Sequence, residues 1–310
     1  MKKFLVDIIL FSVVLTIISA GISFALDKVF GGKHYSHTKH NWVLATKNTQ
    51  FDYAALGSSR VLNVIDVPLI DSLAGKSGIN IATSGSGYAD NYVLLKRFYE
   101  SGNKTKTLFL NVDEYCFDAQ HHYSYPFADF EYMPFFYEPE INSAYSDCSS
   151  NYYLWKYLPF SRYAEFSDKY KLQNLYILRN SKSNYDYSKG YEELSDSSYK
   201  EFKTTETLLN TNKLDLDYFF KVIALCKENN TTPILITTPE YYKLYPFQKN
   251  RAALYKKIYH LKDSLHLKYI HYDSLGDFSN ISYFKDYTHT NSIGANLYSE
   301  RLASLISQQR

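Results

Sequence analysis

The chain begins with a nearly unbroken apolar stretch from Phe4 to Leu26. Two lysines precede it, and Asp7 is the only charged residue inside it. A helix needs about 20 apolar residues to cross a bilayer, and flanking lysines stay on the cytoplasmic side. The alternative is a cleaved signal peptide, whose apolar core is normally about 7–15 residues long. Because this stretch is longer and no small-x-small cleavage site follows it, we predict an uncleaved single-pass anchor at residues 1–26, with the rest of the chain outside the cytoplasm.

From residue 49 to the C-terminus, short apolar runs alternate with amphipathic segments. The pattern predicts strands at 51–56, 78–82, 107–112, 233–237 and 269–272, and helices at 61–72, 88–99, 214–228, 251–265 and 292–308. Pro68 requires a break or an irregular start in the first of these helices. Apolar runs such as 107–112 are typical of parallel strands buried on both faces. The pattern therefore predicts an α/β domain at 49–310, with a central parallel sheet between two layers of helices in a flavodoxin-like three-layer sandwich.

Two segments do not follow this alternation. Residues 27–48 are polar and carry His34, His37 and His40. Three histidines can bind a metal, but without a nearby carboxylate or cysteine partner a solvated linker is the favoured interpretation. Residues 114–205 contain mainly Tyr, Phe, Ser and Asp with scattered Pro, and a loop-rich stretch of this length is usually functional or misassigned. We predict that it is a partly helical, aromatic-rich insertion that lies over the site.

Composition narrows the class of function. The formal net charge is +2, and no long basic run occurs beyond the N-terminus, so nothing indicates a nucleic-acid partner. The 32 tyrosines suit a sugar-binding surface, although compositional drift explains them equally well. An odd cysteine count of 3 excludes a dense disulfide framework, while a Cys116–Cys148 bridge is one option outside the cytoplasm. A nucleotide binder is disfavoured because neither Gly-x-Gly-x-x-Gly nor a P-loop follows the first strand.

Two short motifs carry the candidate chemistry. Gly57-Ser58-Ser59-Arg60 follows the first predicted strand, and Asp286-Tyr287-Thr288-His289 precedes the last predicted helix. Ligands of parallel sheets bind at the carboxyl ends of the strands, where both motifs fall. The first motif alone fits a simple capping turn, since serine is a common N-cap. Together the motifs predict a triad for acyl transfer to or from a hydroxyl, with Ser59 as nucleophile, His289 as base and Asp286 as its orienter.

These motifs resemble those of the SGNH (GDSL-type) hydrolase superfamily. Within it, the chain looks most similar to the membrane-anchored branch that includes the teichoic-acid D-alanylation esterase and polysaccharide O-acetylation proteins. Gly57-Ser58-Ser59 stands where the family has Gly-Asp-Ser, and residues 284–295 match its closing block in the placing of Asp286, His289, Asn291 and Gly294. The resemblance spans about residues 50–308. It implies the SGNH hydrolase fold and a serine mechanism without a cofactor or metal.

The resemblance also implies an oxyanion hole. Residues 80–85 resemble the second family block, so Gly85 is expected to offer its backbone N–H beside that of Ser59. The third block departs from the family pattern Gly-x-Asn-Asp, because the chain reads Leu110-Asn111-Val112-Asp113. Asn111 is a candidate third donor, and one missing donor can lower the rate about 10²–10³-fold. By strand alternation Asn111 and Asp113 share a face, so either can reach the site or simply end the strand. Asp113 and Arg60 are candidate substrate ligands, and a surface salt bridge fits Arg60 equally well.

Two functions from different classes follow. The first is a membrane-anchored extracytoplasmic serine esterase or O-acyltransferase that acts on acyl esters of a cell-envelope polysaccharide. The second is a non-catalytic partner that binds a glycan or an acyl carrier for an integral-membrane acyltransferase. The intact Ser59, Asp286 and His289 favour the first, and the altered third block favours the second.

Overall fold

A computed structural model of the protein describes residues 1–31, 38–119, 127, 130–158, 160–165, 185–195, 199–200 and 204–308. The chain divides into two compact units. The first unit joins Met1–Ala45 to Phe127–Ser183, and the second joins Thr46–Pro126 to Asn184–Arg310. The second unit therefore begins close to the predicted start of the α/β domain at residue 49.

A five-stranded parallel sheet forms the centre of the second unit. Its strands are β1 (Gln50–Leu56), β2 (Gly78–Asn80), β3 (Lys104–Asn111), β5 (Thr232–Ile236) and β7 (Lys268–Ile270), in the order β2-β1-β3-β5-β7. Two short strands, β4 (Thr207–Leu208) and β6 (Gln248–Lys249), pair in parallel with each other. The predicted α/β class with a central parallel sheet is confirmed. Each of the five predicted strands is present in this sheet.

Helices link the strands of this sheet. Those of the second unit are Ser59–Leu62, Val67–Ala74, Tyr88–Glu100, Glu114–Phe117, Tyr185–Ser188, Lys213–Glu228, Arg251–Ser264 and Ser292–Ser307, with 3-10 turns at Tyr242–Phe247, Tyr272–Ser274 and Ile281–Tyr283. The predicted helix at 61–72 is divided into two pieces. Asp66 caps the second piece by accepting a hydrogen bond of 3.0 Å from the Leu69 N–H, and Pro68 stands in its first turn. Proline is tolerated there because the first turn has no intrahelical acceptor for its missing N–H.

Apolar side chains of the sheet and of two neighbouring helices form the main core. Tyr53, Phe109 and Ile234 of three adjacent strands pack with residues of the helices Val67–Ala74 and Ser292–Ser307. Leu56 at the end of β1 pairs in register with Leu110 near the end of β3. The segments that follow these two strands therefore start side by side at one edge of the sheet.

The first unit contains the N-terminal helix Lys2–Phe30, which is long and apolar enough to cross a membrane. Its other described helical segments are Lys39–Ala45, Met133–Phe135, Pro139–Cys148, Tyr152–Tyr157 and Ser161–Glu165. Part of the predicted solvated linker thus forms a helix, and Trp42, Val43 and His40 are buried in it. His40 Nδ1 pairs with the Glu131 carboxylate, a partner that is distant in sequence. His34 and His37 lie outside the described residues.

Within the predicted insertion at 114–205, all the regular elements that the structure describes are helices or 3-10 turns. Its segment Phe127–Ser183 belongs to the first unit and its later residues belong to the second. Its proposed position over the site stays a prediction. The suggested Cys116–Cys148 bridge is wrong, because none of the three cysteines forms a disulfide. Cys116 is instead buried near the end of β3, where its Sγ lies 4.0 Å from Asn111 Nδ2.

Candidate active site

Ser59 stands at a sharp turn between β1 and the short helix Ser59–Leu62. Ser58 caps this helix, and its hydroxyl accepts a hydrogen bond of 3.4 Å from the Arg60 N–H. A Cβ on Gly57 would lie only 2.6 Å from Asn111 Cβ and 2.8 Å from Val61 Cγ2. Only glycine fits between these neighbours, so the turn brings the backbone close to the end of β3. Ser59 itself is partly exposed, whereas the residues on either side of it are buried.

Asp286 and His289 lie in a tight turn between Phe284 and Thr290, which form an antiparallel bridge. The Lys285 N–H donates to the His289 carbonyl at 2.9 Å and closes the turn. Directly after it, Asn291 caps the last helix by accepting from the Gly294 N–H at 3.1 Å. A side chain at Gly294 would meet the Tyr283 carbonyl oxygen at 2.3 Å from its Cβ. Asn291 and Gly294 thus hold the turn against the start of the helix.

The structure brings Ser59, His289 and Asp286 together. Ser59 Oγ lies 2.9 Å from His289 Nε2, and His289 Nδ1 lies 3.0 Å from both carboxylate oxygens of Asp286. A carboxylate only accepts, so Nδ1 carries the proton and Nε2 is left to accept from the serine hydroxyl. The side chains of His289 and Asp286 are 25% and 19% exposed, so solvent reaches the pair without surrounding it. This order of donors and acceptors can remove a proton from Ser59.

Asp286 is held in its ionised form. Burial opposes ionisation, but hydrogen bonds and charge from His289, together with backbone N–H groups, outweigh it and lower the pKa of Asp286 below its ordinary 3.8. The N–H groups of Thr288 and His289 donate to Oδ1 at 2.8 and 2.9 Å. The Thr288 hydroxyl lies 3.1 Å from both Asp286 Oδ1 and His289 Nδ1. Thr288 is a polar neighbour of the pair that the sequence analysis did not single out.

The loop that carries Gly85 is tied to the serine turn. The Thr83 N–H and the Ser86 hydroxyl both donate to the Gly57 carbonyl, at 3.1 and 2.8 Å. Gly85 has a φ of +70°, a conformation that favours glycine. Within the described part of the chain, the backbone N–H groups of Ser59 and Gly85 have no protein acceptor. Both N–H groups therefore remain the candidate donors that the family resemblance implies for an oxyanion hole.

Asn111 and Asp113 are directed to each other and to neighbouring backbone. The Asn111 amide nitrogen donates to Asp113 Oδ2, and both side chains are buried. Asp113 also caps the helix Glu114–Phe117 by accepting from the Cys116 N–H at 2.9 Å. In this arrangement Asn111 supports the end of β3 and does not present an open donor. Asp113 is likewise a capping residue in the structure.

Arg60 lies in a buried cluster of charged side chains and not at an open surface. Its guanidinium contacts Glu240 Oε1 at 2.8 Å, Glu114 Oε1 at 3.3 Å and Asp113 Oδ2 at 3.7 Å. Arg251 pairs with the other oxygen of Glu240. Gln248 Nε2 donates to Glu114 at 2.9 Å. We call Arg60, Asp113, Glu114, Glu240, Gln248 and Arg251 the charge cluster.

The charge cluster connects the serine turn to the segments that follow β3 and β5. Burial, reinforced by the charge of Glu240, raises the pKa of Glu114 well above its ordinary value. Burial also opposes ionisation of Glu240, but the charges of Arg60 and Arg251 outweigh it and lower its pKa to about 2. Two arginines, Arg60 and Arg251, thus share the Glu240 carboxylate. Sequence analysis missed Glu114, Glu240 and Arg251, because no local pattern shows that charged residues so far apart in sequence are buried together.

Comparisons with known proteins do not assign the chain to a family. No protein-family model matches it, and no curated protein matches it either. Among the described residues, no group of three or more His, Cys, Asp or Glu side chains is placed to hold a metal ion. The geometry around Ser59 is therefore the basis for assigning a function.

Proposed function

We propose that the protein is a membrane-anchored, extracytoplasmic serine esterase or O-acyltransferase with an SGNH-type site. One continuous chain of hydrogen bonds carries the proposal. Ser59 Oγ is bonded to His289 Nε2, and His289 Nδ1 is bonded to the Asp286 carboxylate. Ser59 and His289 are 230 residues apart in sequence, and Asp286 and His289 are 3 residues apart. The capping turn uses the Ser58 hydroxyl, so it explains none of these three side chains.

The reaction begins when His289 Nε2 takes the proton of Ser59 as Oγ attacks an ester carbonyl carbon. The new bond turns the carbonyl oxygen into an oxyanion, which the N–H groups of Ser59 and Gly85 stabilise. As the intermediate collapses, the ester C–O bond breaks and His289 returns the proton to the leaving alkoxide. Water or an acceptor hydroxyl then attacks the acyl-serine, with His289 again as base. Water gives an esterase, and a sugar hydroxyl gives a transferase.

The proposed substrate class is an acylated cell-envelope polysaccharide. A membrane anchor would keep the site close to the envelope, and the anchor's candidate helix is present. Tyr199, Tyr241 and Tyr287 form an aromatic group at the turn of Asp286, with ring centroids 5.6–6.4 Å apart. Tyr241 and Tyr287 are buried in the main core, so these rings support the turn of Asp286 from behind, and the substrate class rests on the anchor and on the ester chemistry of the site.

Phosphonofluoridate labelling of the purified full-length chain tests the proposal. Peptide mass spectrometry should locate the adduct on Ser59, and Ser59→Ala should abolish both the adduct and turnover of a small acyl ester. Ser58→Ala is the matched control, because that hydroxyl is buried and has no histidine beside it. The control should keep the adduct on Ser59.

His289→Ala should also lose the adduct, since the phosphorus centre is attacked only by an activated hydroxyl. A folded wild-type chain that neither labels nor turns over esters would overturn the proposal. It would then favour the non-catalytic partner of an integral-membrane acyltransferase.

A further inference from the structure

The C-terminal end of the N-terminal helix is bound to the segment 161–165 within the first unit. Asp27 pairs with Arg162 Nη2 at 2.6 Å and accepts a hydrogen bond from the Tyr163 hydroxyl. Phe30 is buried and stacks on the Tyr163 ring, with centroids 6.0 Å apart. Arg162 is itself only 1% exposed and donates to the Met133 carbonyl at 2.9 Å. The segment 161–165 therefore lies directly against the end of the helix.

This end of the helix coincides with the expected edge of the bilayer. Residues 4–26 span about 34 Å as a helix, close to the roughly 30 Å thickness of a hydrocarbon core. None of the most apolar window of the helix is buried by protein. Ser23 and Phe30, near the C-terminal end, are its buried residues. Asp27 thus falls where a carboxylate meets the polar interface, since a charge in the hydrocarbon is costly.

A group of exposed apolar side chains directly precedes, in sequence, the segment that binds this end of the helix. It comprises Tyr153, Leu154, Tyr157, Leu158 and Phe160, which we call the aromatic patch. Tyr153 and Tyr157 are 66% and 71% exposed. The opposite side of the same short helix buries Tyr152 and Trp155 in the first unit. The patch is therefore the outward side of a segment whose inward side is packed.

The spacing along the chain keeps the patch close to the helix end. Leu158 accepts from the Ser161 N–H at 2.9 Å, and the next residue, Arg162, holds Asp27. Trp155 Nε1 donates to Glu165 at 2.6 Å, which ties the patch helix to Ser161–Glu165. Both elements belong to the same compact unit as the N-terminal helix. The patch and the exit point of the helix are thus parts of one packed structure.

We propose that the aromatic patch lies in the headgroup region of the same bilayer that the N-terminal helix crosses. The proposal is independent of the Ser59 chemistry and requires only that this helix spans a membrane. A large exposed apolar group marks an interaction surface, and this one directly precedes, in the chain, the residues that hold the end of the N-terminal helix. Tyrosines with a neighbouring lysine are typical of membrane interfaces, where the rings sit at headgroup level. Lys156 fits this pattern, because its Nζ lies over the rings of Tyr152 and Tyr157 at 5.3 and 5.8 Å.

Depth-dependent fluorescence quenching tests the proposal on the full-length chain in lipid nanodiscs. Tyr157→Trp and Tyr153→Trp place reporters in the patch without removing an aromatic ring. The two natural tryptophans, Trp42 and Trp155, are buried and supply the background in the wild-type chain. Ile17→Trp, on the exposed surface of the N-terminal helix, is the control for deep insertion. The quenchers are phosphatidylcholines brominated either near the headgroup end or near the methyl end of the acyl chain.

Both patch reporters should be quenched at least about twofold by lipid brominated near the headgroup, and less by lipid brominated near the chain end. Ile17→Trp should show the opposite order. Patch emission that both brominated lipids leave unchanged, while Ile17→Trp is quenched, would overturn the proposal. In that case a second copy of the chain or another protein is the better candidate to cover the patch.

Discussion

Each residue of the candidate site depends on a neighbour that fixes its position. Ser59 is aimed by Gly57, whose missing side chain lets the turn approach Asn111 and Val61. His289 is aimed by Asp286, which holds Nδ1 and leaves Nε2 for the serine. Asp286 is in turn held by two backbone N–H groups of its own turn. The carboxylate therefore has an orienting role for the histidine and a stabilising role for the turn.

Replacing Asp286 with asparagine separates these two roles. Asp286→Asn should lower turnover about 10⁴-fold, against about 10⁶-fold for Ser59→Ala, because His289 still samples the correct tautomer part of the time. The matched control is Asp273→Asn. Asp273 Oδ2 lies 3.4 Å from His271 Nδ1, but this carboxylate is 70% exposed and makes a weak pair. Steady-state kinetics on one acyl ester compares all three variants, and an unchanged rate for Asp286→Asn would contradict the assigned role.

The same variant should change the pH dependence of stability. The pKa of Asp286 is lowered in the folded state, so its contribution to stability is present above its ordinary 3.8 and is lost as pH falls through the lower folded value. The free energy of unfolding of Asp286→Asn should therefore lie below that of the wild type at neutral pH. The two values should converge in acid below about pH 4. A difference that stays constant down to the acid limit would show that the carboxylate's charge is not involved.

At the scale of elements, buried charge joins the ends of β1, β3 and β5. Arg60 follows β1, Glu114 follows β3 and Glu240 follows β5. Breaking a buried ion pair by removing one partner is strongly destabilising, because it leaves a charge uncompensated. The cluster should therefore be more sensitive to replacement of Glu240, whose pKa is lowered, than to replacement of Glu114, whose pKa is raised.

Glu240→Gln and Glu114→Gln make a matched pair for this test. Glu240 is ionised and faces two arginines, so its replacement should cost about 3–5 kcal/mol of unfolding free energy. Burial and the charge of Glu240 raise the pKa of Glu114, which favours its neutral form, and glutamine keeps an oxygen that accepts from Arg60 and Gln248. Replacement of Glu114 should cost no more than about 1 kcal/mol. Denaturant unfolding at neutral pH measures both, and equal losses would contradict the opposite pKa shifts of the two glutamates.

The elements themselves could be predicted from local patterns, while the charge cluster could not. Strand β3 is a local apolar run, and Pro68 indicates a break or an irregular start in the predicted helix at 61–72, because both signals lie within a few residues. The cap at Asp66 was not predicted. The rule that ligands of parallel sheets bind at the carboxyl ends of the strands places Ser59 and His289 at the same edge. The order of the strands was not predicted and comes from the structure. Arg60 and Glu240 gave no such signal, since burial of a charge depends on partners far apart in sequence.

At the scale of the whole molecule, the two compact units do not follow the boundaries of anchor, linker and domain that the sequence pattern predicts. The first unit combines the N-terminal helix with residues from the middle of the chain. Asp27 and Arg162 are 135 residues apart, and no local sequence pattern indicates that they form an ion pair. Residues 27–48 therefore read as a solvated linker, although their helix Lys39–Ala45 is largely buried. Long-range pairing of this kind is the part of the fold that sequence periodicity does not contain.

The last prediction concerns the membrane topology of the whole chain. The polar end of the N-terminal helix is a structural part of the first unit through Asp27 and Phe30, which favours a retained anchor over a removed leader. Lys2 and Lys3 should stay in the cytoplasm and the α/β unit should lie outside.

A membrane-impermeant maleimide applied to intact cells should label Leu73→Cys, an exposed position of the second unit. This variant and Lys3→Cys both also carry Cys148→Ser, because Cys148 is a free and only partly buried cysteine. Lys3→Cys should react only after permeabilisation, while the natural Cys116 and Cys226 are buried and should not react in either sample. Intact-mass analysis should find the N-terminal helix still attached. A mature chain that begins after residue 20, or labelling in the reverse order, would replace the anchored topology with a released or inverted one.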